Sequence, residues 1–599
     1  MRAAIELRAV SQLARPGVMT LRDVTVAVQP GELIAIIGAS GSGKTTLLNI
    51  MSGLRPPASG EVIRADGARV GYVPQDDIIH RQLPLARTLR YAAALRHVRE
   101  PRCAVEETLR LLDLSGRSLV PVGSLSGGER KRASIAAEFL ASPGLFFLDE
   151  PTSGLDPARG AELMRTLRRL CQHGTTVVLT THNPLDAEAC DKVVVLASGG
   201  HLAYFGSPAA ARAYFGTDSI VEIYERLAGI GDPAKNWSRR FFDANFFRTS
   251  TPHSSAPPDG VANGPPPQAP VAERRPRQAG AAVGGVGGAV GPVSSAVGGV
   301  GPAVGGAGPA AAAVGGGGPA VRVARLVRQW ALLTQRNADI LARGKLMAAM
   351  LVGSPVAVLA MFLVLFRPGA FSPAHPSPSA TVMIMFWVAF GGFFFGLTYG
   401  LLAICAELSV LRRERFAGIG AGAYVLAKVA VLLPLLAATD LVFLVVLRLL
   451  GRLPAAGDYG AVFVTLLLCS AAALGLGLLI SAAVSEPSQA TIVLPMACFP
   501  QVLFVGAILP VPVMASVGQW ISYAMTNRWA FEALGHSLGV ARLWSNGASP
   551  LGRPLLASYG STFSRPVAID WLVLGGFTLA FLAATIAVVI AKTRRSPQE

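Results

Sequence analysis

Charged residues are scarce in this chain: Asp, Glu, Lys and Arg make up 15% of its 599 residues, against 52% hydrophobic. A soluble protein of this length carries about 25% charge, so the shortfall places part of the chain in lipid. Cysteine is sparse as well. Cys103, Cys171, Cys190, Cys405, Cys469 and Cys498 include no CxxC pair, which leaves neither a zinc site nor a disulfide framework, and free thiols are expected. The start, MRAAIELRAV, lacks the apolar run of a secretory signal, so the N-terminus is expected to stay in the cytoplasm. The formal net charge of +17 comes with arginine far ahead of lysine and abundant alanine and glycine. That is the signature of a GC-rich genome, and no nucleic-acid partner is read from it.

What is present divides unevenly along the chain, which is too long for a single core. Residues 1–245 alternate short β-branched runs (24–28, 33–37, 145–148, 177–181 and 193–196) with helical stretches, the pattern of a mainly parallel sheet covered by helices. Residues 246–320 read as a flexible linker. Within them, 281–320 holds 15 Gly and 4 Pro, and that density opposes a spanning helix although the stretch is uncharged. Residues 321–345 interleave Arg322, Arg325, Arg328, Arg336 and Arg343 with Val323, Leu326, Val327, Trp330 and Leu333 at helical spacing, as in a basic amphipathic helix at a lipid surface. Residues 346–599 form an all-α membrane domain, with six spans expected at 346–366, 381–405, 424–447, 461–484, 490–509 and 569–590. Arg412, Arg413 and Arg415 in one loop, with Lys592, Arg594 and Arg595 in the tail, put both on the cytoplasmic side. Both termini are therefore expected in the cytoplasm.

Chemistry concentrates in two places. Gly38-Ala39-Ser40-Gly41-Ser42-Gly43-Lys44-Thr45 fits GxxxxGK[ST] between an apolar strand and a helical run, with Thr46 next. Glycines let backbone N–H groups turn inward, and the helix start adds positive potential for phosphate oxygens. Lys44 is expected on the β- and γ-phosphates of ATP and Thr45 on Mg²⁺. The second place is the apolar strand 145–148, which ends in Asp149 and Glu150. Asp149 is the expected Mg²⁺ acid and Glu150 the general base for water.

With these motifs the chain resembles the ATP-binding-cassette (ABC) superfamily. Leu125-Ser126-Gly127-Gly128-Glu129 looks like its signature, Gln75 in GYVPQDD like its Q-loop, Asp156 in SGLD like its D-loop and His182 in TTHNP like its switch histidine. The resemblance implies an α/β P-loop ATPase, with Gln75 a further Mg²⁺ ligand and catalytic contact. It also implies that Ser126, Gly127, Gly128, Glu129 and Asp156 meet nucleotide held by a second copy of the chain. SGGERKR, LDEPTSGLD and the ATPase-before-membrane order are similar to the G subfamily of half-transporters. That similarity implies an exporter of lipid-like or drug-like cargo in a plasma or inner membrane. No phosphate-site residue is degenerate, so a homodimer is expected.

Two other classes stand beside this reading. One is an ATP-driven device that works on membrane lipids or a partner without moving cargo, and the other is a soluble ABC switch. Six spans argue against the second. The family usually stacks adenine on an upstream aromatic ring, but no Phe, Trp, Tyr or His precedes Tyr72, so weak discrimination of ATP from GTP is expected. Within the membrane half, Asp440 is a candidate functional or partnered acid, and Lys428 is expected to reach toward the cytoplasmic interface. Phe386, Trp387, Phe390, Phe393, Phe394 and Phe395 crowd the second span, Pro495 and Pro500 predict a kinked fifth, and Glu407 with Arg412–Arg415 is expected to join the two halves.

Overall fold

The computed structural model describes residues 3–15, 17–76, 79–227, 236–243, 319–416, 418–546 and 548–594. The expected linker therefore lies outside the described residues up to residue 318.

Nine strands form one sheet: β1 (Ile5–Arg15), β2 (Val18–Val28), β3 (Leu33–Gly38), β4 (Ser59–Arg64), β5 (Val70–Val73), β6 (Leu145–Asp149), β7 (Thr176–Thr180), β8 (Lys192–Ala197) and β9 (His201–Gly206), in the order β4-β1-β2-β9-β8-β3-β7-β6-β5. β3 pairs in parallel with β7 and β8, and β6 in parallel with β5 and β7. Every residue of β3, β6 and β7 is buried. Such strands need apolar side chains toward both faces, which is why LIAII and LFFL read as continuous rather than alternating runs. Leu33, Ala35 and Ile37 pack on one face, Ile34 and Ile36 on the other. The α/β class inferred from the strand–helix alternation is what the sheet shows. Its helices include α1 (Lys44–Ser52), α2 (Leu85–Leu95), α3 (Pro101–Leu111), α4 (Gly127–Phe139), α5 (Pro157–Gln172), α6 (Pro184–Glu188), α7 (Pro208–Phe215) and α8 (Ile220–Leu227).

The second half is helical. α9 (Pro319–Arg343) runs into α10 (Lys345–Leu365), and then come α11 (Pro378–Leu401), α12 (Leu408–Phe416), α13 (Ala421–Leu449), α14 (Tyr459–Ala483) and α15 (Pro487–Leu503). Among the described residues, four helices are long and apolar enough to cross a bilayer: α11, α13, α14 and α20 (Val567–Arg594). Of the other two expected spans, α10 is a 21-residue helix whose described apolar stretch covers 351–365, and α15 has 17 residues with Pro495 and Pro500 inside it. Between α15 and α20 lie α16 (Ser516–Tyr523), α17 (Thr526–Ser537), α18 (Val540–Ser545) and α19 (Gly552–Tyr559). α17 is buried along nearly its whole length against α11, α14 and α20.

Helices in lipid gain little from the hydrophobic effect against each other and associate through close backbone approach. Gly392, Gly396 and Gly400 recur every four residues on α11 and face α14. A Cβ at Gly396 would lie 2.1 Å from the Ser470 carbonyl oxygen, one at Gly400 2.7 Å from that of Leu474, and one at Gly477 2.5 Å from that of Leu397. Only hydrogen fits there. Asp440, fully buried in α13, accepts a hydrogen bond from Ser470 Oγ at 2.8 Å, which makes it partnered with α14 rather than interfacial.

Candidate functional site

Three parallel strands end side by side, and their carboxyl ends carry the motif residues. β3 runs into the loop 38–43, where Gly38, Gly41 and Gly43 adopt φ of 150°, 78° and 94°. At Gly43 the backbone passes so near β2 that a Cβ would sit 2.6 Å from the Thr20 carbonyl oxygen. Lys44 opens α1 and folds back over the loop, its Nζ donating to the Gly38 and Ala39 carbonyls at 2.9 and 3.1 Å. Burial lowers the pKa of this amine, with Glu150 and Asp149 opposing that shift.

Asp149 ends β6 and is buried. Its Oδ1 accepts from Thr45 Oγ1 at 3.2 Å and from Thr180 Oγ1 at 2.5 Å. Burial pushes the carboxyl up, and the two threonine hydrogen bonds pull it back toward the charged form. A hydroxyl and a carboxylate brought together at the phosphate loop are hard oxygen donors of the kind Mg²⁺ takes one or two of while keeping its waters. Thr45 and Asp149 thus fit that ion.

Glu150 adopts φ 44°, a left-handed conformation rare for a non-glycine residue. Its amide donates to Thr180 Oγ1 at 2.9 Å, so a single threonine holds both acids of the strand end. Glu150 Oε2 accepts from Gln75 Nε2 at 3.1 Å and lies 3.3 Å from His182 Nδ1. Lys44, Thr45, Asp149, Glu150, Gln75 and His182 therefore converge on one surface. Thr46 is buried in the first turn of α1.

The signature residues stand apart. Ser126 caps α4, accepting from the Glu129 amide at 3.3 Å, while Glu129 Oε2 accepts from the Ser126 amide at 2.9 Å in a reciprocal capping box. The Ser126 amide and Arg117 hold the Glu129 carboxyl down at about 2. Asp156 caps α5 through the Arg159 amide at 3.0 Å. Among the described residues, no hydrogen bond or ion pair is seen between Ser126, Gly127, Gly128, Glu129 or Asp156 and the phosphate loop.

Sequence reasoning missed Thr180 and Lys131. Lys131, on α4, donates to the Gln75 carbonyl at 2.6 Å and so ties the Q-loop to the signature helix. It also missed most of the seam between the two halves. His80, five residues past Gln75, is buried with Nδ1 3.9 Å from Glu407 Oε1 and Nε2 3.9 Å from Glu414 Oε1. Arg336 of α9 grips Glu414 with two hydrogen bonds, while Lys428 Nζ and the Tyr424 hydroxyl donate to Glu407 at 2.6 and 3.2 Å. Lys428, near the start of α13, therefore ends on a buried partner in the loop that joins the two halves. The far end of the signature helix is held as well, with Glu138 2.5 Å from Arg96 Nη2 and 3.4 Å from Arg413 Nε of α12. Arg413 meets the ATPase side, whereas Arg415 bonds to Thr593 and the Ile419 carbonyl. The loop arginines and Glu407 were visible as a candidate joint, but His80 and Glu138 carried no local motif.

Residues 21–153 match the ABC transporter family, and residues 328–538 match the ABC-2 type transporter family. An ABC transporter ATP-binding/permease protein of Mycobacterium tuberculosis is 30% identical over 559 residues, 88% of this chain and 57% of that protein. ABC transporter G family member 21 of Arabidopsis thaliana is 39% identical over 227 residues, 35% of this chain and 34% of its own length. Protein scarlet of Drosophila melanogaster is 38% identical over 220 residues, 33% of each chain. The chain thus spans between a third and somewhat over half of the length of these relatives. With an ABC ATPase domain followed by an ABC-2 type membrane domain, in the order of the G family half-transporters, the chain belongs to the ABC transporters.

Proposed function

We propose that two copies of this chain enclose ATP between them, hydrolyse it, and use the resulting opening and closing of the ATPase pair to move hydrophobic cargo out across a plasma or inner membrane. The observation that carries the reading is the split site. Phosphate loop, acids and switch histidine converge within one chain, while the signature serine caps a helix elsewhere, so a second chain has to supply it.

In this account Lys44 and the loop amides bind the β- and γ-phosphates, and Thr45 and Asp149, with Gln75, hold Mg²⁺, which supplies charge neutralisation when bound. Glu150 takes the proton of the attacking water, while His182 and Gln75 keep its carboxylate aimed. Ser126, Gly127, Gly128 and Glu129 of one copy contact the γ-phosphate held by the other, and Asp156 lines the same junction. Contacts made only in the closed pair let ATP favour closure, and cleavage removes them. The seam passes this on through His80 behind the Q-loop and Glu138 at the end of the signature helix. With no ring upstream of Tyr72 to stack on adenine, ATP and GTP are expected to bind with similar strength.

Cargo is read from two apolar faces. Ile492, Met496, Phe499 and Leu503 are exposed along one side of α15, and Trp387, Phe390 and Phe394 are half-buried along one side of α11. A second copy packed on these faces would enclose an apolar path. The test is ATP-dependent accumulation of lipophilic dyes in inside-out vesicles. Uptake by the wild type, absent in Glu150→Gln, supports export. Equal accumulation by both, or by neither across a broad dye panel, overturns it.

A further inference from the structure

The seam also contains an open cavity of about 690 Å³ that neither the nucleotide site nor the buried ion pairs use. Arg87, Arg90 and Tyr91 of α2 and Arg102 at the start of α3 line one wall, and Leu332 and Gln335 of α9 line the other. Its charge is one-sided. Glu100 is the one carboxylate among the lining residues. Asp339, beside the cavity, is already taken by Arg87, at 2.7 Å, and by the Tyr91 hydroxyl.

Arg90 makes one weak contact, Nε to the Ala86 carbonyl at 3.3 Å. Arg102 has no hydrogen bond or ion pair among the described residues and is exposed. α3 begins here without a side-chain cap, so the amides of Arg102 and Cys103 in its first turn have no intrahelical acceptor. The positive potential extends along the seam. The nearby His97 imidazole is held below its usual range first by burial and then by Arg328 and Arg325 of α9.

We propose that this groove binds a phosphate-bearing anion, held by Arg90, Arg102 and the first turn of α3 and flanked by Leu332 and Gln335 of α9. Guanidinium groups and unpaired helix-start amides are the donors a phosphate accepts from most strongly. The apolar flank admits a carbon-bearing ester as readily as inorganic phosphate. The anion touches both the ATPase helices and the helix that leads into the membrane, so it stabilises whichever state holds them together. Occupancy therefore tunes coupling without entering the nucleotide site. The site stands independently of the export reading.

Cys103 lines the cavity and is exposed, while Cys171, Cys190, Cys405 and Cys469 are buried and Cys498 is half-buried, so the site carries its own reporter. Full-length protein in phosphatidylcholine nanodiscs, with its phosphate loops saturated by a non-hydrolysable ATP analogue, is labelled with a neutral maleimide and followed at the Cys103 peptide. Pyrophosphate is expected to slow labelling saturably. Replacing Arg90→Ala and Arg102→Ala together raises the pyrophosphate concentration needed for half-protection about tenfold or more. Arg110→Ala, at the other end of α3, leaves it unchanged. A second arm omits pyrophosphate and adds phosphatidic acid to the nanodisc. Protection there, lost in the double variant, assigns the anion to the bilayer, and protection by pyrophosphate alone assigns it to solution. If neither anion slows labelling, or if protection survives in the double variant, the proposal is wrong.

Discussion

Acidification isolates the part played by His80. Its imidazole faces Glu407 and Glu414 from the loop and helix after α11, Arg336 from α9, and Lys428 from α13, with the Tyr424 hydroxyl bonded to Glu407 beside it. Two acids and two bases already cancel in that socket, so a proton on His80 adds an unbalanced buried charge. Burial first, and Arg336 next, push its pKa from 6.5 to about 4, against the pull of the two glutamates. Because the folded value lies below the unfolded one, the unfolded chain takes the proton first. The stabilisation is fully present above pH 6.5 and is lost as pH falls toward 4. That window corresponds to about 3 kcal/mol in all, of which about 2 is gone by pH 5. At 2–4 °C per kcal/mol for a domain of this size, the apparent melting midpoint of the detergent-solubilised protein should drop by roughly 4–8 °C between pH 7.5 and pH 5 on this account alone. Every other acid-sensitive group is shared with His80→Gln, so the difference between the two pH shifts reports this ring. If His80→Gln loses as much as the wild type, the imidazole is not the sensor and the socket reading fails.

Removing Arg336 is the harsher perturbation, since Arg336→Ala leaves Glu414 buried without its bidentate partner. A loss of about 3–5 kcal/mol is expected in thermal or denaturant melting, largely recovered when Arg336→Met is combined with Glu414→Leu. Equal loss in the single and double variants would contradict this and show that the ion pair itself, rather than the orphaned Glu414 charge, accounts for the stability. Gly396→Val should force α11 and α14 apart, because its Cβ meets a backbone oxygen at 2.1 Å. About 2–3 kcal/mol or outright failure to assemble is expected by size-exclusion and melting, while Gly575→Val on α20, with nothing within 4 Å, is the silent control.

The nucleotide half-site was legible because its chemistry is local. A strand, a glycine loop and a helix start carry the phosphate contacts within eight consecutive residues, 38–45, and Asp149 and Glu150 follow directly on an apolar run. Thr180 was not legible, since a threonine becomes the clamp of both acids only when β7 lies next to β6. The seam was legible on one side. Loop arginines flanked by spans announce a joint, but the partners His80 and Glu138 lie more than 270 residues away in sequence. The partner of Lys428 was hidden for the same reason, because Glu407 sits on another element. Composition marked the lipid-embedded segments, and the two prolines of the fifth marked it as irregular. Pro495 and Pro500 lie inside α15, which has 17 residues, and four of the expected spans are long apolar helices among the described residues.

The most direct test of the account is steady-state ATP hydrolysis by the full-length protein in lipid nanodiscs, measured alongside nucleotide binding for the wild type and Glu150→Gln. Magnesium-dependent turnover by the wild type is predicted to fall about 100-fold or more in Glu150→Gln, with ATP still bound and the ATPase pair held closed. Near-wild-type turnover in Glu150→Gln, or no hydrolysis by the wild type with any lipid or ligand, would contradict it.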